Sequence, residues 1–422
     1  MLMTPRRTLL ALFAAQVLLC VFGTQIFVVR VNPIALTLIS VALSWKSLQF
    51  LKDSAPPASV SNPKTAALYA SFALLGVLLA AIPLNALWLS WPDPGKHSDV
   101  LPQLQGQADL FWQGVFPYQR IPVEGNHPFP VYMPLHWGPF LLHNLTGIDV
   151  RWPSFLMLVA GIWVATYSLI RRVSIPFDYL TALMIAGIWA VPLWAFIHWS
   201  KSELAISAEG IVTAWYLILA AGLVSRHHGW IIAGMIGGLL SRYTFLFWLP
   251  LLAALLWEYA PLKRSFQVWG ISALAVIVLF ILPFLSKDPS ILASMQTHYN
   301  GCSESSWVRP DDYTFRDGLG MNIHLREWLG GTPASNFPYR HWPQFFIQLG
   351  VAAAAWWYYR KAAHRHFHIY DFSLLLLALM PMLFYLFSPM LFRYYMLLPL
   401  YLSAFVMVWA LISERKAEGT GV

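Results

Sequence analysis

The chain has 422 residues, of which 58% are apolar and 11% charged, with a mean hydropathy of +0.58 and a net charge of +8. A soluble domain carries about 25% charged residues, so this chain cannot cover a water-facing surface, and disorder, a collagenous fibre and a disulfide scaffold are excluded with it. Long apolar runs broken by proline and glycine also exclude a β-barrel, whose strands alternate over about ten residues.

Taken in chain order, apolar runs bounded by charges or Pro/Gly clusters predict helices near 8 to 29, 33 to 51, 66 to 90, 152 to 170, 178 to 198, 205 to 225, 229 to 241, 243 to 257, 266 to 285, 343 to 360, 371 to 388 and 394 to 412. The expectation is an all-α polytopic membrane protein with about twelve transmembrane helices in one domain, 1-422. Arg6 and Arg7 ahead of an apolar stretch suggest a signal peptide. That stretch exceeds an ordinary h-region and no small-residue cleavage site follows, so the first helix is expected to be retained. Val17, Leu18 and Leu19 before Cys20 make a poor lipoprotein signal, and a bridge from Cys20 to the distant loop residue Cys302 is not expected. The seventh and eighth helices are short for a bilayer of about 30 Å, which predicts a hairpin turning within the membrane. The 21 tryptophans suit interfacial belts and could also stack on sugar rings.

Cytoplasmic loops collect Lys and Arg. With a cytoplasmic N-terminus, the inner segments hold 15 basic residues against six acidic, and the remainder 12 against 13. Both termini are therefore expected inside. The high isoelectric point is then topology and not a nucleic-acid footprint.

Two long connections, 91-151 and 286-342, fall outside, and long loops in a compact domain are usually functional. Each is expected to carry short helices lying along the membrane surface. The first reads LSWPDPGKHSDVLPQLQGQADLFWQGVFPYQRIPVEGNHPFPVYMPLHWGPFLL. Asp99 follows the exit of the third helix. A helical stretch to Trp112 comes next, then Gly114, Pro117 and Tyr118, and then Tyr132, Met133 and Pro134. Asp99 also reads as the N-cap of the helix that follows, with Pro102 in its first turn. Asn144-Leu145-Thr146 has the form of a glycosylation acceptor, close to the membrane.

An acidic residue at the outer end of an early helix, about fifteen residues, Gly-x-x-Pro-Tyr and then Tyr-x-Pro-Leu resemble the first loop of the GT-C superfamily of integral-membrane glycosyltransferases, nearest its bacterial mannosyl- and arabinosyl-type branch. The resemblance implies a GT-C-like fold in a bacterial inner membrane. It also implies a polyprenyl-phosphate-linked sugar donor, Asp99 as general base, and Tyr118 and Tyr132 in the cavity wall. Two helices precede the one leading to Asp99 where the family commonly has one. Asp109 and Glu124 compete for the place of the family's second acidic residue. A phosphate leaving group needs little acid assistance, so one carboxylate can suffice where a glycoside hydrolase needs two.

Ionisable groups at membrane depth are functional candidates by default. His198, Lys201, Glu203 and Glu209 cluster in HWSKSELAISAEG. Lys201 and Glu203 could bind sugar hydroxyls or the donor phosphate, or form a local ion pair at a helix start. Arg242, followed by Tyr243 in LLSRYTFLFW, lies between the two short helices. A guanidinium there suits a phosphate or snorkels to the surface, and the resemblance implies a lipid-phosphate contact. Arg393 carries the same two readings. The second loop holds Arg309, Asp311, Asp312, Arg316, Asp317, Asn322, Arg326 and Glu327, which suit acceptor selection, a lid or a solvated surface. Asp311 and Asp312 lack the alternating ligands of a calcium loop, and there is no HExxH, P-loop, Rossmann glycine pattern or GxSxG. A divalent metal is compatible with the chemistry, but nothing demands one.

The preferred reading is a hexosyl- or pentosyltransferase acting on a glycan, glycolipid or protein acceptor at the outer face. A transporter or flippase is the alternative, disfavoured by the absence of a clear internal repeat. A non-catalytic assembly subunit is a third reading.

Overall fold

The computed structural model describes residues 5–26, 31–52, 62–123, 127–308 and 320–419. Among them the chain is mainly helical and forms no strand. In order the helices are α1 Pro5–Ile26, α2 Val31–Lys52, α3 Pro63–Ala80, α4 Leu84–Leu89, α5 Val100–Trp112, α6 Pro134–Trp137, α7 Leu141–Thr146, α8 Trp152–Val173, α9 Tyr179–Trp199 and α10 Lys201–Ile206. They continue as α11 Glu209–Ser225, α12 His228–Leu239, α13 Leu249–Tyr259, α14 Leu262–Val276, α15 Ile291–Val308, α16 Asn322–Leu329, α17 Pro333–Asn336, α18 Trp342–Lys361, α19 Ile369–Leu386 and α20 Leu397–Gly419.

Each predicted span coincides with a helix, but seven among the described residues are long and apolar enough to cross a membrane. Three others, α11, α12 and α13, are apolar but have only 17, 12 and 11 residues. At 1.5 Å per residue they fall short of a bilayer core. α1 and α18 have 22 and 20 residues and stand outside the set of seven. Two predicted helices are broken. The third turns at Ala81–Pro83 before α4, and the sixth divides at Ser207 and Ala208 into α10 and α11. The ninth continues from α14 as a wider π-turn, Ile277–Leu285, around Pro283, consistent with the ladder bond that proline removes.

Burial ranks the helices. All of the apolar window of α19 and 94% of that leading into α20 are buried, against 22% for Leu262–Leu285 and 28% for Pro63–Leu89. The centre is therefore α11, α19 and α20, and the poorly buried helices present apolar faces outward. Close approach uses small residues, as membrane helices require in the absence of a water-driven collapse. A Cβ on Gly161 would meet the Ala214 backbone at 2.8 Å, and one on Gly210 the Ser154 carbonyl oxygen at 2.4 Å, so α8 and α11 pack backbone to backbone. Gly222 and Gly234 hold α11 against α12 in the same way. Cys20 lies in α1 and Cys302 in α15, and the two form no disulfide with each other.

The first connection contains the short helices α5 to α7, whereas the second contains the 18-residue α15 along with the short α16 and α17, and both contribute to one cavity. That meeting positions the candidate site.

Candidate functional site

A cavity of about 1290 Å³ lies where the two connections meet the ends of α12, α18 and α19 and the turn before α20. The start of α5 supplies Asp99 and Gln103, the stretch before α6 supplies Tyr132, the α12–α13 turn supplies Arg242 and Tyr243, and α15 supplies His298, Tyr299 and Cys302.

Asp99 occupies the N-cap position of α5 but makes no side-chain cap bond. Ser98 Oγ takes that role, accepting from the Val100 N–H at 3.3 Å. The Asp99 carboxylate instead accepts from Gln103 Nε2, one turn on, with its Oδ2 at 2.7 Å. Asp99 is half-buried and lines the cavity. Its negative charge reaches α15 across the cavity. There burial lowers the His298 imidazole below the usual histidine range, with Asp99 pulling the other way, and burial followed by Asp99 raises the Cys302 thiol. His298 Nε2 and Cys302 Sγ are 3.7 Å apart. Among the described residues no group of three histidine, cysteine or carboxylate side chains is placed to hold a metal ion.

Arg242 does not snorkel. Its side chain is 9% exposed and pairs with Glu209, 1% exposed, at 2.6 Å. The Tyr395 ring lies 4.8 Å from the guanidinium carbon and the Tyr385 hydroxyl 3.5 Å from Nη1. Lone ions are very costly at such depth, and a close partner offsets that cost. The α12–α13 turn carries Arg242 into the bundle while Glu209 opens α11, so two helix ends create the pair. Arg242 also faces the cavity. Beside it, Tyr385 stacks on Tyr395 at 4.7 Å and Tyr299 on His341 at 6.1 Å. Burial, aided by Arg340, lowers His341 to about 4.

The other sequence candidates divide. Tyr132 and Tyr243 line the cavity. Tyr118 does not: it is 2% exposed, donates its hydroxyl to the Tyr132 carbonyl at 3.2 Å, and packs on Phe284, with ring centroids 5.2 Å apart. The Gly-x-x-Pro-Tyr turn therefore points its tyrosine behind the wall. Asp109 is also engaged elsewhere, accepting from Asn144 Nδ2 at 2.6 Å. Glu203 is buried on α10 outside the lining, and Arg393 turns to Ser200, its Nη1 3.4 Å from the hydroxyl. Lys201 belongs to α10, but its side chain lies outside the described residues. Glu124, Arg309, Asp311, Asp312, Arg316 and Asp317 lie outside them entirely. His198 is exposed, with Nδ1 2.8 Å from the Trp194 carbonyl oxygen. In the second connection Asn322 donates to the Arg340 and Phe387 carbonyls and Arg326 to that of Trp307, so both fasten the loop; Glu327 is exposed.

Gln103, His298, His341, Tyr385 and Tyr395 join the site without having been singled out in the sequence. Gln103 had a signal, because a residue four after Asp99 shares its helix face. The others come from helices more than 190 residues away. No protein-family model, curated protein or solved structure matches the chain.

Proposed function

We propose that the protein is a membrane glycosyltransferase that moves a hexose or pentose from a polyprenyl-phosphate donor to a glycan, glycolipid or protein acceptor, with Asp99 as general base. The observation that carries this reading is one cavity bounded by a carboxylate released from capping and, in the same wall, by a buried arginine. The acceptor hydroxyl oxygen attacks the anomeric carbon as the bond to the phosphate oxygen breaks. Asp99 takes the hydroxyl proton, and the departing phosphate keeps the electron pair next to Arg242. Leu292 and Phe345, which line the cavity and are exposed, would let an isoprenoid chain run out towards lipid. Stacked tyrosines suit a sugar face.

The reading extends to about twelve crossings in a GT-C-like arrangement. Both termini are cytoplasmic, and the cavity opens outward from a bacterial inner membrane. Its test is transfer from a panel of radiolabelled polyprenyl-phosphate sugars to a membrane extract by the purified full chain. General-base catalysis contributes about 10² to 10⁴ in rate, so Asp99→Asn should lose that factor with helical content intact. Failure of every donor, or full activity in Asp99→Asn, would overturn the assignment.

A further inference from the structure

Gln103 raises a question that the base assignment leaves open. A carboxylate only accepts hydrogen bonds, so the amide that meets Asp99 Oδ2 at 2.7 Å must present its NH₂ there. The carbonyl oxygen of Gln103 is then left for another donor. That oxygen is buried, in a side chain 1% exposed that lines the cavity, and it has no hydrogen-bond partner. Gln107, one turn further along α5, also leaves its carbonyl oxygen without a partner, but it lies outside the lining and gives its amide to the Tyr132 carbonyl at 3.2 Å.

Asp99 and Gln103, one turn apart on one face of α5 and both in the lining, therefore offer two acceptors, and a ligand that satisfies both must bring two adjacent donors. Neighbouring hydroxyls on a sugar ring do this. A lone serine or threonine hydroxyl fills one place and leaves the other empty, and a phosphate, itself an acceptor, is repelled by both. We propose that Asp99 and Gln103 together bind a vicinal diol of a saccharide acceptor. Asp99 takes the proton of the attacking hydroxyl, and Gln103 Oε1 accepts a hydrogen bond from its neighbour, which keeps its proton. Gln103 is thus both a positioning residue for the Asp99 carboxylate and a selector of glycan or glycolipid over protein. The inference rests on the proposed transfer reaction, but its binding half can be measured without it.

The experiment uses the detergent-solubilised full chain, with saturation-transfer NMR against methyl glycopyranosides and the analogues lacking one hydroxyl of each diol. An unpaired buried acceptor costs enough to lower affinity about tenfold to a hundredfold. We expect one monodeoxy analogue to lose that factor in the native protein, and Gln103→Met to bind the parent and that analogue equally. Gln103→Glu is the second variant. Its protonated form can donate to Asp99 and still offer an acceptor oxygen, so the preference should return as pH falls, a readout that a packing role would not move. Arg120, His298, Cys302 and His341 share the cavity and are common to both proteins in that comparison. Absence of glycoside binding, or a preference unchanged in Gln103→Met and independent of pH in Gln103→Glu, would overturn the proposal. Diol binding that persists while no polyprenyl donor supports transfer would instead sink the enzyme reading and leave the diol site standing.

Discussion

Two buried arginine–carboxylate pairs sit at opposite ends of the same helices, and they differ in what remains for a ligand. Where α8 and α11 end and α19 begins, Asp371 accepts from Arg172 at 2.5 and 2.7 Å and from Arg226 at 3.5 Å, while Arg172 also donates to the Val224 carbonyl. One carboxylate serves two cations, and the fork of Arg172 is divided between Asp371 and the backbone. At the other end Glu209 meets Arg242 through one short contact, and the rest of that guanidinium faces a tyrosine ring, a hydroxyl at 3.5 Å and the cavity. A guanidinium has five N–H donors in a fixed fork, so the first pair is closed and the second has capacity to spare. Of the two pairs, the one at the cavity end keeps hydrogen-bonding capacity for a ligand.

Removing the carboxylate of the closed pair tests this difference most severely. Breaking a buried pair by deleting one partner costs about 3–5 kcal/mol, because the remaining charge is uncompensated. Asp371→Ala should therefore lower the thermal midpoint strongly, while the folded fraction keeps the rate per molecule of the proposed transfer. A loss of turnover without a loss of stability would place function at that end instead. At the cavity end the same logic runs through ligand affinity. Glu209→Gln removes the competitor for Arg242, so an anionic polyprenyl phosphate should bind about tenfold more tightly, at a cost of folding stability. Arg242→Gln should weaken the same lipid by about that factor. Titration with polyprenyl phosphate in nanodiscs reads both, and equal affinities in the three proteins would make Arg242 a structural residue like Arg172.

Much of the bundle was legible in the sequence because proline, glycine and charge stop apolar runs at nearly the places where the helices end. The breaks were harder to read. Ser207 and Ala208 interrupt the predicted sixth span, and the pairing of Glu209 with Arg242 gives α11 a reason to begin there. In the candidate site, Asp99, Tyr132, Arg242 and Tyr243 reach one cavity. Tyr118 does not, because Phe280 and Phe284, from a helix about 160 residues later, provide the surface that draws it inward. Arg242 showed its depth by the shortness of the helices around it, but not its partner, since a contact across 33 residues depends on how two helix ends pack.

A smaller effect tests whether the cavity end is held together by neutral groups. His136, in the first connection, is 1% exposed and its Nδ1 lies 3.2 Å from the Ser241 carbonyl oxygen, next to the Arg242 turn. Burial, and then the Arg242 charge, lower it to about 3. Its folded pKa is thus below the unfolded value near 6.5, and protonation favours the unfolded chain. Stability should be unaffected above about pH 7 and should fall as the pH drops below 6.5, by about 2 kcal/mol at pH 5 from this residue alone. Thermal midpoints of the native protein and His136→Gln, compared between pH 7 and 5, check the sign, and the variant should show the shallower slope. The smallest expected change is at Tyr118. Its hydroxyl donates to the Tyr132 carbonyl at 3.2 Å and accepts from Trp137 Nε1 at 3.4 Å behind the wall, so Tyr118→Phe should cost about 1 to 2 kcal/mol of stability and leave the affinities for the proposed donor and acceptor where they were. A change in either affinity would mean that the wall transmits its packing to the ligand, and the boundary between the scaffold and the open end of the molecule would have to be drawn one layer deeper.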